Sequence, residues 1–242
     1  VVLDVDSGHV LASVSVPWQR PDDIRPNNAS RWNLINKPWL NRAIAMPYPP
    51  GSTAKPLVLA AVYSDHKLGH DETITCTGHL YSGESGIFRC WYFTQTGGTH
   101  GAILGPDAIM RSCNVFFYNC GLHLGAENIR SWYWRFGLGR KTGCGVAEER
   151  ATHGAGGHGE RAAALMAIGQ GPVEWTVLQA AAAYAALALR GSVMGVATYA
   201  ALAVMGAAAY AALALRGAVM GAATYAALAL RGSVMGAATY AA

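Results

Sequence analysis

The segment from Tyr48 to Ala61 constrains the fold more than any other part of the chain. It opens with two prolines and a glycine, which force an extended, kinked approach, and continues with small and apolar residues that favour a helix beginning at Ser52. Ser52 and Lys55 are three positions apart, so they share one face of that helix. The sequence therefore predicts that the Lys55 amine reaches the Ser52 hydroxyl.

This pairing indicates nucleophilic catalysis by Ser52. A serine hydroxyl is a weak nucleophile at neutral pH, and a neutral amine beside it can accept its proton. Burial of Lys55 would lower the pKa of the amine far enough for this role. The helix N-terminus also favours negative charge on Ser52 and on an attacked carbonyl oxygen. Because Ser-x-x-Lys occurs by chance in many helices, the motif needs support from the rest of the chain.

That support comes from a resemblance to a known family. Residues 41–43 (Asn-Arg-Ala) and 48–55 (Tyr-Pro-Pro-Gly-Ser-Thr-Ala-Lys) resemble the active-serine segment of the penicillin-binding proteins, the D,D-transpeptidases that cross-link peptidoglycan. Ala54 stands where the family more often has a larger apolar residue. The likeness covers about residues 1–190 and implies an incomplete α/β (α+β) transpeptidase fold of the kind shared with serine β-lactamases.

The second motif of the family is matched by Ser112-Cys113-Asn114, which lies 60 residues after Ser52 and precedes an apolar aromatic run. A Ser-x-Asn triplet is common, and only this setting makes it informative. The resemblance implies that Ser112 relays a proton to the leaving group. It also implies that Asn114 holds the substrate amide or Lys55.

The third motif of the family, Lys-Thr-Gly, is spelled by residues 141–143. In the family this box lies on an edge strand beside the serine, where backbone N–H groups can bind an oxyanion and an extended substrate. The flanks here are glycines, which disfavour a strand. We therefore interpret Lys141-Thr142-Gly143 as a chance match and expect the true third strand to be missing.

The remaining organisation follows from local patterns. Residues 1–16 predict a hairpin around Asp6-Ser7-Gly8, and residues 17–47 predict an irregular connection. Residues 126–136 predict a helix. By resemblance, residues 167–171 predict a Gly-Gln-Gly turn that leads into a long alanine-rich helix.

The last part of the chain, residues 191–242, is a low-complexity repeat. Tyr-Ala-Ala-Leu-Ala recurs from Tyr184 at spacings of 15, 11 and 15 residues, with a fifth copy beginning a further 15 residues on. Residues 191–215 carry no charge over 25 positions, enough to cross a bilayer. Because they are rich in alanine and interrupted by glycine, we favour a poorly packed or helical-hairpin repeat over a membrane span.

Four metal-ligating residues flank the predicted site. Three thiolates and one imidazole satisfy a tetrahedral zinc site, although the spacing lacks a Cys-x-x-Cys knuckle. The elongation-type members of the family place metal-binding residues similarly, which implies a structural zinc. A Cys76–Cys90 disulfide and plain buried thiols are the alternatives. The candidate ligands are Cys76, Cys90, His100 and Cys113.

Composition excludes one class of partner. The formal net charge is +4, but the residues after Trp175 contain three arginines and no acid, which leaves 15 basic and 14 acidic groups before them. The first part of the chain is therefore nearly neutral, and we expect no nucleic-acid partner.

The resemblance implies a serine D,D-transpeptidase of the class B, elongation type that needs no cofactor for catalysis. Its implied partners are peptidoglycan stem peptides, β-lactams and a glycosyltransferase of the elongation machinery. The implied location is the periplasmic face of a bacterial inner membrane, with an anchor and a pedestal domain before Val1, where no signal peptide is evident.

We expect activity to be impaired by the missing strand. The alternatives are a β-lactam-binding sensor or scaffold module and a non-functional, repeat-expanded fragment. A β-lactamase is also conceivable, but no candidate for a deacylating base stands out.

Overall fold

Helices are the main regular structure in the part of the chain that the computed structural model describes, which is residues 1–16, 40–83, 86, 88–144 and 157–189. A 3₁₀ turn at Gly51–Ala54 directly precedes the helix that starts at Lys55. The helices are α1 Arg42–Ala45, α2 Lys55–Ser64, α3 Trp91–Thr96, α4 Gly105–Met110, α5 Asn114–Leu124, α6 Ala126–Arg135, α7 Gly159–Ala167 and α8 Val177–Ala188. The strands are β1 Val2–Leu3, β2 Val10–Ala12, β3 Ile74–Cys76 and β4 Gly101–Ile103.

Helix α2 is the centre of the main hydrophobic core. Its residues from Lys55 to Tyr63 are all buried, which is typical of a helix that is apolar around its whole circumference. Helices α4, α5 and α6 pack against it. Helix α7 packs closely on α5, since a Cβ at Gly121 would lie 2.5 Å from the carbonyl oxygen of Ala163. Lys55 and Asn114, the first residues of α2 and α5, therefore lie on well-packed helices.

The N-terminal hairpin is confirmed, with shorter strands than predicted. Strands β1 and β2 pair antiparallel, and the backbone N–H of Asp4 donates to the carbonyl of His9 at 2.8 Å. Strand β1 packs on α8, and this contact forms a small second core. The buried members of that core are Leu3, Ala43, Ile44, Leu178, Ala181 and Ala185.

The prediction of an irregular connection over residues 17–47 is wrong for α1. Asn41 caps this helix, because its side-chain oxygen accepts a hydrogen bond from the backbone N–H of Ala43 at 3.1 Å. The two buried residues of the helix, Ala43 and Ile44, pack in the second core. Residues 17–39 lie outside the described residues.

A second hairpin shapes the region between α2 and α4. Strands β3 and β4 pair antiparallel, with Cys76 opposite Gly101. The pairing brings Cys76 beside His100, which directly precedes β4.

The turn and helix predicted for residues 167–188 are confirmed. Gly169 and Gly171 have positive φ angles of 69° and 74°, which favour glycine. Thr176 and Gln179 then form a capping box that starts α8. The predicted repeat of residues 191–242 lies outside the described residues. Within the described residues, no helix combines the length and the apolar character needed to cross a membrane.

Candidate active site

Ser52 lies on an exposed 3₁₀ turn directly before α2, so the predicted placement at a helix start is confirmed, although the α-helix itself begins at Lys55. The turn is anchored to the C-terminal half of the chain. Gly51 donates its backbone N–H to the carbonyl of Gly169 at 2.9 Å, and the Tyr184 hydroxyl donates to the carbonyl of Thr53 at 2.7 Å. The nucleophile candidate is thus held by residues more than a hundred positions away.

Lys55 is almost completely buried, with 1% of its surface exposed. Its amine donates three hydrogen bonds: to the Ser112 carbonyl at 2.8 Å, the Ser112 hydroxyl at 2.9 Å and the Asn114 side-chain oxygen at 2.8 Å. Three acceptors around one ammonium satisfy all of its N–H groups. The residues predicted from the first two motifs therefore meet in space.

The Ser112 hydroxyl lies between the Ser52 hydroxyl and the Lys55 amine. Its hydroxyl donates to the Ser52 hydroxyl at 3.0 Å, while it accepts from Lys55. The sequence predicted a direct contact of Lys55 with Ser52. In the structure the Lys55 amine donates to the Ser112 hydroxyl, which in turn donates to Ser52, because the buried amine is directed toward the acceptors of the Ser112–Asn114 turn.

The environment of Lys55 lowers the pKa of its amine to about 8. Burial is the main cause, since it disfavours the charged form. Electrostatic interactions with Cys113 and Cys90 act in the opposite direction and raise the pKa. A larger share of the neutral amine is therefore present near physiological pH than for an exposed lysine.

Asn114 begins α5 and uses both ends of its side-chain amide. The oxygen accepts from Lys55, and the nitrogen donates to the Arg89 carbonyl at 3.2 Å. This second bond fixes the orientation of the amide, because an exchange of its oxygen and nitrogen would place two acceptors together at Arg89.

The four candidate metal ligands also meet. The Sγ atoms of Cys76, Cys90 and Cys113 and a ring nitrogen of His100 all lie within 4.8 Å of one another. Cys90 Sγ lies 3.4 Å from His100 Nδ1, and Cys113 Sγ accepts the Phe116 N–H at 3.5 Å. Tetrahedral zinc–thiolate geometry places sulfurs about 3.8 Å apart, so a small inward movement of these side chains would suffice.

The thiols of this cluster influence each other. A hydrogen bond from Cys113 lowers the pKa of the Cys90 thiol, and the same bond together with burial raises the pKa of Cys113. All three cysteines are free thiols in the structure, so the alternative Cys76–Cys90 disulfide is not formed among the described residues. The donor set thus fits a metal that prefers sulfur and imidazole.

Lys141-Thr142-Gly143 belongs to no strand, as predicted. Gly143 has a positive φ angle of 77°, which a regular strand does not contain. These residues therefore lack the extended backbone that the third box of the family requires.

Sequence reasoning missed several residues that hold the site. Gly169 accepts from Gly51, Tyr184 from α8 holds Thr53, and Arg89 holds Asn114. The Gly-Gln-Gly turn and the tyrosine of the alanine-rich helix were visible as landmarks. Their contact with the Ser52 turn was not, because it joins residues more than a hundred positions apart.

The site joins an exposed serine hydroxyl to a buried amine, an arrangement typical of serine acyl-transfer proteins, and comparisons with known proteins give the family of the chain. The penicillin-binding protein transpeptidase domain matches residues 1–203. The chain is 32% identical over 155 residues to the peptidoglycan D,D-transpeptidase MrdA of Acinetobacter baumannii, covering 62% of this chain and 22% of that protein. The chain therefore belongs to the penicillin-binding protein transpeptidase family and spans less than a third of the length of the curated relatives that it matches.

Solved structures agree. The complex of penicillin-binding protein 2 with MreC from Helicobacter pylori matches with a TM-score of 0.66 and 26% identity, over 77% of this chain and 37% of that one. The imipenem acyl-enzyme of penicillin-binding protein A from Mycobacterium tuberculosis matches with a TM-score of 0.67 and 27% identity, over 79% of this chain and 45% of that one. The predicted transpeptidase fold is thereby confirmed.

Proposed function

We propose that this chain carries the acylation site of a peptidoglycan D,D-transpeptidase. The single observation that carries the proposal is the continuous path from the Ser52 hydroxyl through the Ser112 hydroxyl to the Lys55 amine, with bonds of 3.0 and 2.9 Å. A buried amine with a lowered pKa at the end of that path can accept the serine proton.

In the first half-reaction, Ser52 Oγ attacks the carbonyl carbon of the penultimate D-Ala of a stem peptide. The serine proton passes through Ser112 to the neutral Lys55 amine, and a tetrahedral oxyanion forms. The C–N bond to the terminal D-Ala then breaks. The proton returns through Ser112 to the departing amine, which leaves an ester on Ser52.

In the second half-reaction, an amine of a neighbouring strand attacks that ester and loses its proton along the same path. A new amide bond forms, the C–O bond breaks and Ser52 regains its proton. A β-lactam would follow the first half-reaction with opening of its ring, and the resulting amine stays attached. The acyl-enzyme that imipenem forms with the related Mycobacterium tuberculosis protein supports this expectation.

The test is labelling with a fluorescent penicillin. We expect a covalent label on the wild-type protein and none on Ser52→Ala. Ser131→Ala is the matched control, since Ser131 is an exposed serine on α6, and it should keep the label. Labelling of Ser52→Ala at the wild-type rate would contradict the proposal.

We also propose that Ser52 is acylated slowly when residues 1–242 are tested alone. The Lys-Thr-Gly triplet at residues 141–143 belongs to no strand, and one missing oxyanion donor reduces the rate by about 10²- to 10³-fold. The test compares the labelling rate of this chain with that of a relative that has the third strand. A stable label without cross-linked product would favour the sensor or scaffold alternative.

We further propose that Cys76, Cys90, His100 and Cys113 hold a structural zinc ion. It would serve folding, since it would join the β3–β4 hairpin to the start of α5 and take no part in the acyl transfer. We expect metal analysis of purified protein to find one zinc per chain. Cys76→Ser should lose it, whereas Cys144→Ser, at an exposed cysteine, should retain it. Absence of zinc from the wild type would remove the proposal.

The proposed setting is a complex for cell elongation at the periplasmic face of the inner membrane. The Helicobacter pylori penicillin-binding protein 2 that resembles this chain forms a complex with MreC. We propose residues 1–190 as the transpeptidase part and residues 191–242 as a separate repeat tail. Limited proteolysis should release the first part as a stable fragment. Cleavage within α2 or α5 as fast as cleavage within residues 191–242 would argue against that division.

A further inference from the structure

The segment Arg89–Trp91 lies against the turn that carries Ser112, residues 111–114, at three successive points. The Arg89 carbonyl accepts from Asn114 at 3.2 Å, and the Trp91 indole N–H donates to the Arg111 carbonyl at 3.0 Å. Between them, the Sγ atoms of Cys90 and Cys113 lie within 4.8 Å of each other. Each residue of the short segment thus faces one part of the turn that carries Ser112.

Ser112 has an unusual backbone conformation. Its φ angle is +49°, in the left-handed region that residues with a side chain rarely adopt. Such a conformation persists only where the surroundings impose it. The position of the Ser112 hydroxyl, 3.0 Å from the Ser52 hydroxyl, depends on this angle because φ directs the Cα–Cβ bond.

The peptide plane between Arg111 and Ser112 sets that φ angle, and it is held at both edges. The Ser112 N–H donates to the Ile109 carbonyl at 3.0 Å, and on the opposite edge the Arg111 carbonyl accepts from Trp91 at 3.0 Å. Rotation of the plane toward an ordinary φ would swing the Arg111 carbonyl away from the indole. The bond from Trp91 therefore resists relaxation of Ser112.

We propose that Trp91 is a positioning residue for acyl transfer, acting through the Arg111 carbonyl to hold the Ser112 hydroxyl on the path between Ser52 and Lys55. The expected effect on the acylation rate rests on the proposed function. The role of Trp91 in holding the backbone angle of Ser112 does not. Trp91 is 40% exposed at the start of α3 and lies outside the buried core. Its indole N–H is the group that reaches the turn.

The first test compares Trp91→Phe with Trp134→Phe. Phenylalanine keeps an aromatic ring and removes the N–H, and Trp134 is a similarly exposed tryptophan, at 49%, on α6. We expect Trp91→Phe to lower the first-order rate of acylation by a fluorescent penicillin about 3- to 10-fold, the worth of one hydrogen bond, with little change in the half-saturating concentration. Trp134→Phe should leave both unchanged.

A double-variant comparison separates positioning from a general structural effect. In the Ser112→Ala background the hydroxyl is already absent, so Trp91→Phe should change the remaining rate less than about twofold. An equal loss in both backgrounds would overturn the proposal, as would a Trp91→Phe rate equal to the wild type. Thermal unfolding of each variant checks that all of them are folded.

A second readout needs no acylation. With ¹³C-labelled serine, the Cα and Cβ chemical shifts of Ser112 report its backbone angle, and we expect Trp91→Phe to move them while Trp134→Phe does not. If the wild type takes up no Ser52-dependent label, the proposed function fails and these shifts still decide the role of Trp91. Unchanged shifts in Trp91→Phe would overturn it.

Discussion

The hydroxyl of Ser112 lies 3.0 Å from the hydroxyl of Ser52, across 60 residues of sequence, and 2.9 Å from the amine of Lys55. One serine thus links the exposed nucleophile candidate to the buried base candidate. This relationship makes Ser112 as informative to test as Ser52 itself.

Substitutions of Ser112 should separate activity from stability. Ser112→Ala and Ser112→Gly both remove the hydroxyl, so we expect either variant to lower the acylation rate about 10²-fold or more. Since φ is +49°, the glycine variant should be more stable than the alanine variant by about 1 kcal/mol. Chemical denaturation measures the difference. Equal stability of the two variants would argue against a left-handed Ser112 in solution.

Acylation should depend on pH through Lys55. Its pKa is lowered to about 8, and the base must be neutral, so the rate should rise as pH increases through about 8 and level off above it. Stopped-flow or gel measurements of labelling from about pH 6 to pH 9.5 would show this profile. Lys55→Arg should be inactive throughout, because a guanidinium keeps its proton. A flat wild-type profile would refute Lys55 as the base.

A methyl group at Gly169 should disrupt the Ser52 turn. The added Cβ would lie 2.1 Å from the Gly51 carbonyl oxygen, and the φ angle of 69° adds backbone strain. We expect Gly169→Ala to lose about 2 kcal/mol or more of stability and most of the acylation rate. Gly97→Ala is the control, since φ there is +73° with open space around it, and it should cost only about 1 kcal/mol.

Removal of the Tyr184 hydroxyl should loosen the same turn. Tyr184→Phe leaves the Thr53 carbonyl without the hydrogen bond it accepts at 2.7 Å, so we expect a loss of about 1 to 2 kcal/mol in the free energy of unfolding and slower labelling. Tyr81→Phe, at a half-buried tyrosine that packs on Phe88, should retain the wild-type labelling rate. Identical labelling of the two variants would show that this bond does not hold Ser52.

Local sequence signals predicted the elements that surround the site. The prolines and glycine before Ser52 predicted a helix start, and the Gly-Gln-Gly turn with the following alanine-rich helix was recognisable. The short helix at Arg42–Ala45 was missed, since four residues give almost no periodic signal and its cap was a single asparagine.

The metal-ligand candidates show a different limit. Their spacing in the sequence was wide and weak as a signal, but the pairing of β3 with β4 places Cys76 opposite Gly101 and thus beside His100. Strand register decides which residues become neighbours. Spacing alone could not decide it, because three-residue strands carry little periodic pattern.

By itself, the sequence determined which chemical groups are available and which local turns and helices carry them: a serine and a lysine on one helical start, and a Ser-x-Asn triplet far along the chain. Only the tertiary structure decided that Ser112, in a left-handed conformation, stands between them and that Trp91 and Tyr184 hold the two turns in place. Helix propensity and backbone preference act over a few residues. Hydrogen bonds between distant segments form only when packing of the whole core has brought them together.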